Sequence, residues 1–329
     1  MQKYGLSYYE NAENIVDTAI MEKDKITFCV LMSIVNNKCS KVFTDHEKII
    51  ICHSCNPWPV WIWTAPGINK NELNQINECL EKEFPLNKGY TYNLSYETTK
   101  QIVELSSFSN DIVIKTNLLS YCCNKLVCIP RKCDGMLRLA HEDDINSIAK
   151  IIRDFSYEVE KKELSQDICR NSAEQKIKNK QLYVWETGDN EIAATTSYNL
   201  CDGLGKIALV YTLPKFRRSG YAENLVYTVT KKIIDKKHLP VLYTDGDYDP
   251  SNNCYQKLGY KKVGRLCTIG INASKIIMLR GNSGSGKSTA AKTLQKKLGR
   301  GTLLISQDVV RREMLYVNDG TNRYLKIFR

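Results

Sequence analysis

Apolar residues recur along this chain with two periods. Short apolar runs at 49–52 (Ile49-Ile50-Ile51-Cys52) and 60–64 (Val60-Trp61-Ile62-Trp63-Thr64) have the length and the β-branched or aromatic content of buried strands. Asn56-Pro57-Trp58-Pro59 separates them as a turn. Leu73, Ile76 and Leu80 stand at helical spacing and predict a helix over 70–83; 11–21 predicts a shorter one. Ile112-Val113-Ile114 and Leu126-Val127-Cys128-Ile129 predict two further strands. The dense run Trp58-Pro59-Val60-Trp61-Ile62-Trp63 reads as core, with a substrate groove as the competing reading. Residues 1–135 are thus an α+β lobe.

The pattern restarts after Pro130-Arg131-Lys132-Cys133-Asp134-Gly135, which has the composition of a linker. Met136–Ala140 predicts a strand. Glu142-Asp143-Asp144 opens a helix through Ile145, Ile148, Ile151 and Ile152, its acids in the first turn where the dipole favours them. Residues 157–180 are charged and helical, with Phe155, Tyr157, Leu164 and Ile168 as apolar contacts. Residues 182–186 and 191–198 form a hairpin about Gly188-Asp189-Asn190. Ile207–Thr212 is a buried strand that Pro214 ends. A helix runs through Ala222, Leu225, Val226, Val229 and Ile233. Leu239–Asp245 is the next strand, and a helix follows from Asp249-Pro250-Ser251 to a stop at Gly259. Ile276–Arg280 and Thr302–Ile305 predict two last strands. The fold class is α/β of the mixed α+β kind, in three segments: 1–135, 136–271 and 272–329.

Charge changes the picture only at the end of the chain. The formal net charge is +11, and residues 272–329 hold twelve Lys or Arg against three Asp or Glu. We read that excess as a phosphate-binding segment with solvated lysines rather than as a nucleic-acid surface. No apolar run approaches the ~20 residues of a membrane span, and Met1–Glu10 lacks the apolar core of a signal peptide. A cytoplasmic protein is expected. The 13 cysteines form no regular framework, and Cys52-His53-Ser54-Cys55 has no second CxxC at zinc spacing, so reduced thiols are the default.

Two stretches carry chemistry in the middle segment. Arg217-Arg218-Ser219-Gly220-Tyr221-Ala222 is a basic turn between strand and helix. Helix N-termini offer unpaired amides and positive dipole character, so this is an anion site. The turn resembles the acyl-CoA signature of the GNAT acetyltransferases, Arg/Gln-x-x-Gly-x-Gly/Ala, at Arg217, Gly220 and Ala222. Ser251-Asn252-Asn253-Cys254-Tyr255-Gln256-Lys257-Leu258-Gly259-Tyr260 resembles the second half of the same signature. The resemblance spans about residues 136–270. It implies acetyl-CoA as co-substrate, with the pyrophosphate on the amides of Arg217, Arg218, Ser219, Gly220, Tyr221 and Ala222. It further implies pantetheine along Val210–Thr212, Asn252 at the cofactor site, and Tyr255 as general acid toward the leaving thiolate. The acceptor is an amine of a small molecule or a protein; neither the general base nor the oligomeric state is legible. Residues 1–135 allow a second, degenerate GNAT-like lobe that lacks both motifs.

The last segment holds a complete GxxxxGK[ST] loop: Gly281-Asn282-Ser283-Gly284-Ser285-Gly286-Lys287-Ser288. Its glycines let amides curl around phosphates, Lys287 would reach the β- and γ-phosphates of ATP, and Ser288 would hold Mg²⁺. The segment resembles small P-loop kinases of the zeta-toxin and polynucleotide-kinase type, with Asp308 at the place of the acceptor-activating acid. The sequence ends 41 residues after Ser288, which leaves no room for a Walker B acid and a lid, so the segment reads as the start of a kinase domain. Three functions compete: an N-acetyltransferase, an ATP-binding P-loop kinase, and a non-catalytic CoA-binding regulatory module.

Overall fold

Both halves of a repeated strand pattern lie in one sheet. The structure, a computed structural model, describes residues 1–10, 16–36, 41–105, 111–160, 163–271, 277–282, 284–298 and 303–306. The chain divides into two units, Met1–Asn272 and Ala273–Arg329. In the first half of unit one, β1 is Gln2–Lys3, β2 Leu6–Glu10, α1 Cys29–Val35, β3 Lys41–Thr44, β4 Ile49–His53, β5 Val60–Thr64, α2 Lys70–Glu83, β6 Tyr92–Ser95, α3 Tyr96–Leu105 and β7 Ile112–Cys122. In the second, β8 is Met136–Leu139, α4 Ile145–Phe155, α5 Gln166–Lys178, β9 Leu182–Glu186, β10 Ile192–Cys201, β11 Leu204–Thr212, α6 Tyr221–Asp235, β12 Leu239–Asp245, α7 Asp249–Leu258 and β13 Lys261–Ile271. The expected helix over 11–21 falls partly outside the described residues; Thr18–Asp24 is a 3-10 turn.

The sheet order is β1-β2-β3-β4-β5-β6-β13-β7-β12-β11-β10-β9-β8. From β2 inward it reads alike from either end. Each half is an antiparallel run, then one parallel step, β5 to β6 or β11 to β12, crossed by a helix, α2 or α6. The closing strands are exchanged. β7, made by the first half, pairs with β12; β13, made by the second, pairs with β6. β7 and β13 also pair with each other, from Lys261↔Cys122 to Ile271↔Ile112. The linker therefore joins two strands of one continuous sheet and does not separate one sheet from another.

Burial on both faces explains the continuous apolar runs. In β4, Ile49 and Ile51 join the cluster under α2 and α3, while Ile50 and Cys52 join the one under α1. Trp61 and Trp63 pack with the latter group, so the tryptophan run is core; Trp58 alone is exposed. In the second half, Ile207 and Leu242 pack against Val226, Val229 and Ile233 of α6, and Leu209 and Tyr211 against Ile148, Ile151 and Ile152 of α4.

Four expectations are corrected. Residues 126–129 form no strand: they run as loop, with Val127 and Ile129 exposed. The real strand, β7, extends from 112 to 122 through the polar Lys115, Thr116 and Asn117. The charged stretch 157–180 is not one helix; a π-helical turn covers Ser156–Glu160, and α5 starts at Gln166 after the Ser165 cap. In unit two, the described residues 277–280 and 303–306 carry no strand. Ile277, Met278, Leu279, Leu303, Leu304 and Ile305 are all exposed there. The P-loop helix itself is present as α8, Lys287–Leu298.

Candidate active site

The site begins where two parallel strands diverge. β11 pairs with β12 only over Leu204–Ile207 and Leu239–Leu242. Residues 208–212 have no ladder partner on β12, whose other edge pairs with β7 over Val241–Asp245. The backbone edge of 208–212 is thus open to a ligand inserted between the strands.

A bulge sits at the same point. Thr195 opposes Tyr211 and Ser197 opposes Ala208, so β11 carries one residue more than β10 across the interval. Leu209 absorbs it with φ +54°, a conformation that leucine seldom adopts. An extra residue inverts side-chain parity beyond it. Ile207 faces α6, yet Leu209 and Tyr211 both face α4 and α5, and Val210 turns to the α6 side.

Beyond Thr212, a 3-10 turn at Pro214–Phe216 leads into the basic turn. Arg218 has φ +65° and Gly220 φ +84°. Gly220 is the N-cap of α6, and no side chain caps the helix. α2, the matching helix of the first half, differs in chemistry. Asn69 accepts from the amides of Asn71 and Glu72, and Glu72 accepts from Asn69 and pairs with Lys48. There the anion site is filled from within by a carboxylate; at α6 it is open.

Arg217 reaches away from the turn. Its Nε donates to the carbonyl of Thr212 at 3.1 Å, its Nη2 to Oε2 of Glu158 at 2.5 Å, and its guanidinium lies 5.4 Å from the Tyr211 ring centre. The hydroxyl of Thr212 is buried with no hydrogen-bond partner. Burial first, and the neighbouring Glu158 carboxylate second, push the Tyr211 pKa up to about 12.

Tyr255, on α7, is buried between Tyr121 and Tyr260 in the cluster that also holds Ile207 and Leu242 of the diverging strands. Burial pushes its hydroxyl well above the ordinary tyrosine range, so it holds its proton at neutral pH. Asn252 is a staple within the protein. Its amide donates to the carbonyls of Asp245 and Tyr248, and its oxygen accepts from Tyr121. Val210, Thr212, Arg217, Arg218, Ser219, Gly220, Tyr221 and Ala222 lie along one path from strand end to helix start. The sequence reading missed Glu158 and Tyr211. Glu158 is one of many charges in its stretch, and Tyr211 comes into place only through the bulge.

A cavity of about 220 Å³ lies elsewhere, lined by Leu80, Leu86, Tyr92 and Ile102 of the first half. It has no helix start or basic turn, and the chemistry does not follow it.

In unit two, Gly281 has φ +158°, Gly284 +76° and Gly286 +77°, values that glycine alone adopts readily. Lys287 Nζ bonds the Asn282 carbonyl and, at 3.3 Å, Ser285 Oγ; Ser288 is exposed in the first turn of α8. Ser283 and Asp308 lie outside the described residues. Among the described residues no group of three His, Cys, Asp or Glu is placed to hold a metal, and no helix is long and apolar enough to cross a membrane.

Comparison with known proteins bears on the fold of both units. Residues 188–268 match the family model described as FR47-like protein, and residues 276–327 match that of an AAA domain. No curated protein matches the chain. A GCN5-related N-acetyltransferase from Sphaerobacter thermophilus is similar in structure, with TM-score 0.58 and 12% identity over 82% of this chain and 98% of its own. The first unit has the GNAT fold. An acetyltransferase of the GNAT family from Colwellia psychrerythraea gives TM-score 0.51 at 11% identity, covering 81% of this chain and 99% of its own. A Drosophila protein gives 0.55 at 13%, covering 82% and 99%. These shares exceed the second half alone, so the GNAT likeness takes in the first half too.

Proposed function

We propose that this protein moves an acetyl group from acetyl-CoA to an amine by direct attack. The observation that carries the proposal is the open end of β11 running into an uncapped, basic helix start. These two features suit the two ends of an acyl-CoA arm. Amides of 218–222 and the α6 dipole would hold the pyrophosphate, and the unpaired edge at Val210–Thr212 would pair with the pantetheine amides. The amine nitrogen attacks the thioester carbon, the C–S bond breaks, the thiolate takes a proton from Tyr255, and the proton that the nitrogen sheds returns through water to the tyrosinate. Burial keeps Tyr255 protonated and makes it a weaker acid than a free thiol, near pKa 8.5, so this proton transfer is driven only by coupling to the proton that the attacking nitrogen sheds.

The test is calorimetry of the full chain with acetyl-CoA. Gly220→Glu places a side chain and a negative charge at the phosphate turn, and at φ +84° it also strains the backbone. We expect the wild type to bind and the variant to lose at least about a hundredfold in affinity, the scale of a displaced charge-assisted contact pair. Equal binding would move the site elsewhere.

A second reading is nucleotide binding at Gly281–Ser288, favoured by three glycines in positive-φ backbone ahead of α8. There Lys287 and Ser288 would take phosphates and Mg²⁺. A thermal-shift panel with ATP–Mg²⁺, on the wild type and on Lys287→Ala, tests it.

A further inference from the structure

We infer that the segment 126–130, with the lysines around it, is a docking surface for an anionic lipid bilayer. The inference is independent of the acetyl-CoA reading. The segment belongs to no helix or strand, yet it is tied down at both ends. The amide of Val127 donates to the carbonyl of Leu258 at the end of α7. The carbonyl of Arg131 accepts from Asn224 in the first turns of α6. Between these ties burial alternates. Leu126 packs into the cluster under α6 and α7, and Pro130 is buried. Val127 and Ile129, the alternate positions, are 69% and 80% exposed. A fixed surface segment thus offers branched aliphatic side chains to solvent, the mark of a contact surface rather than of scattered exposure.

Cations surround this strip. Lys125 precedes it. A Cβ at Gly259 would lie 3.2 Å from both methyl carbons of Val127, and Lys261 and Lys262 follow at the start of β13. Lys257, on α7, is close enough to Cys128 for their charges to act on each other. Lys237 follows α6 just before Pro240, whose carbonyl accepts from the amide of Cys123. All of these lysines are exposed. Of the acids nearby, Glu223 is already held by Lys257 at 2.6 Å, and Asp235 at the end of α6 does not offset the rest.

The charge calls for an acidic partner, and Val127 and Ile129 call for one with an apolar layer beneath its charge. An anionic bilayer has both, and apolar burial and headgroup attraction add. Lysine stems lie along such a boundary with their charge outward. A protein partner suits the composition less well, since protein interfaces favour Tyr, Trp and Arg and are depleted in Lys. Nucleic acid takes lysine but gains nothing from exposed Val and Ile. A second copy brings the same positive charge, and residues 272–329, with twelve Lys or Arg against three Asp or Glu, are no complement either. The contact is peripheral, because among the described residues no helix is long and apolar enough to cross a membrane.

The experiment is co-sedimentation of the full chain with two kinds of vesicle: phosphatidylcholine alone, and phosphatidylcholine mixed equally with phosphatidylglycerol. Wild type is compared with Val127→Ser/Ile129→Ser and with Lys125→Gln/Lys262→Gln. Melting temperatures confirm that each is folded, and Ile129→Ser alone serves if the first double variant melts early. Wild type should bind the mixed vesicles at least about tenfold more tightly than the neutral ones. The aliphatic variant should lose about tenfold. The lysine variant should lose about twenty- to thirtyfold, roughly fivefold for each cation near an anionic surface. Equal binding of all three proteins would place any vesicle contact elsewhere, the basic residues 272–329 included, and overturns the inference. Loss through the lysines alone, with duplex RNA competing as well as vesicles, overturns it in favour of nucleic acid. A dimer on size-exclusion chromatography that Val127→Ser/Ile129→Ser abolishes overturns it in favour of a second copy.

Discussion

At Leu209 one leucine in left-handed backbone decides which side chains of β11 meet α4 and α5 and which meet α6. Nothing in Ile207-Ala208-Leu209-Val210-Tyr211 signals the change, because apolar residues fill both faces and alternation gives no phase. The motif residues were legible for the opposite reason. Gly220, at φ +84° where a helix starts, meets a backbone requirement that a single sequence carries. Tyr255 was legible by position only; its role rests on a measurement. Tyr255→Phe keeps the ring in its cluster and removes the proton. Turnover, read as CoA thiol release, should fall by about 10²–10⁴-fold while acetyl-CoA affinity stays unchanged. An unaltered rate would assign Tyr255 to packing alone. Asp144 supports a different prediction. Burial raises its pKa, but the two bonds from Arg138 and the amide of His141 outweigh burial and hold it below the usual range. A lowered folded pKa stabilises at every pH above the unfolded value, near 3.9, and the gain is lost as pH falls through the folded value. Asp144→Asn should therefore lose about 2–3 kcal/mol at pH 7, between the ranges for exposed and buried pairs, and approach the wild type in acid. Chemical denaturation at both pH values checks it; an equal deficit at low pH would rule out the charge as cause.

The helices α2 and α6 occupy matching places in the two halves and have opposite ends. Asn69 and Glu72 close one; Gly220 leaves the other open. The sequence reading saw the motif missing from residues 1–135 but not what replaced it, since Asn-x-x-Glu is also an ordinary helix start. Asn69→Ala should cost about 1 kcal/mol of stability, the usual worth of a cap, and leave acetyl-CoA affinity unchanged. A change in affinity would mean that the first half holds a CoA site after all. Packing of α6 onto its strand is as demanding as its cap. A Cβ at Gly205 would lie 2.2 Å from Cγ2 of the buried Ile233. Gly205→Ala should thus destabilise by about 1–3 kcal/mol through overpacking. Double substitution with Ile233→Val should recover part of the loss, and no recovery would place the strain elsewhere. The error at 126–129 is also one of elements: apolar residues in a crossing loop look like a strand, and the true strand β7 is hidden by its polar middle.

For the whole molecule, the feature least legible in the sequence is the exchange of closing strands. Residues 112–114 read as a strand of the first half and 261–271 are not read as a strand, and where β7 and β13 sit in the sheet depends on pairing over more than a hundred residues. The exchange makes the middle segment dependent on residues outside it. In residues 136–271 alone, β12 loses its neighbour β7, and β13 loses the strand with which it pairs along its whole length. Three unpaired edges would open, both of β13, which also loses β6, and one of β12 beside the diverging strands of the site. Residues 112–271 restore β7 between β12 and β13 and should rebuild that half, leaving only the β13 edge that faces β6 open. We therefore expect 136–271 to aggregate or melt without a cooperative transition, 112–271 to melt cooperatively, and 1–271 to melt at a higher temperature than 112–271. Calorimetric melting and size-exclusion chromatography of the three chains decide it. A cooperative, monomeric 136–271 that binds acetyl-CoA would show that the exchanged strand is dispensable, and that the segment boundary read from the sequence is a true domain boundary.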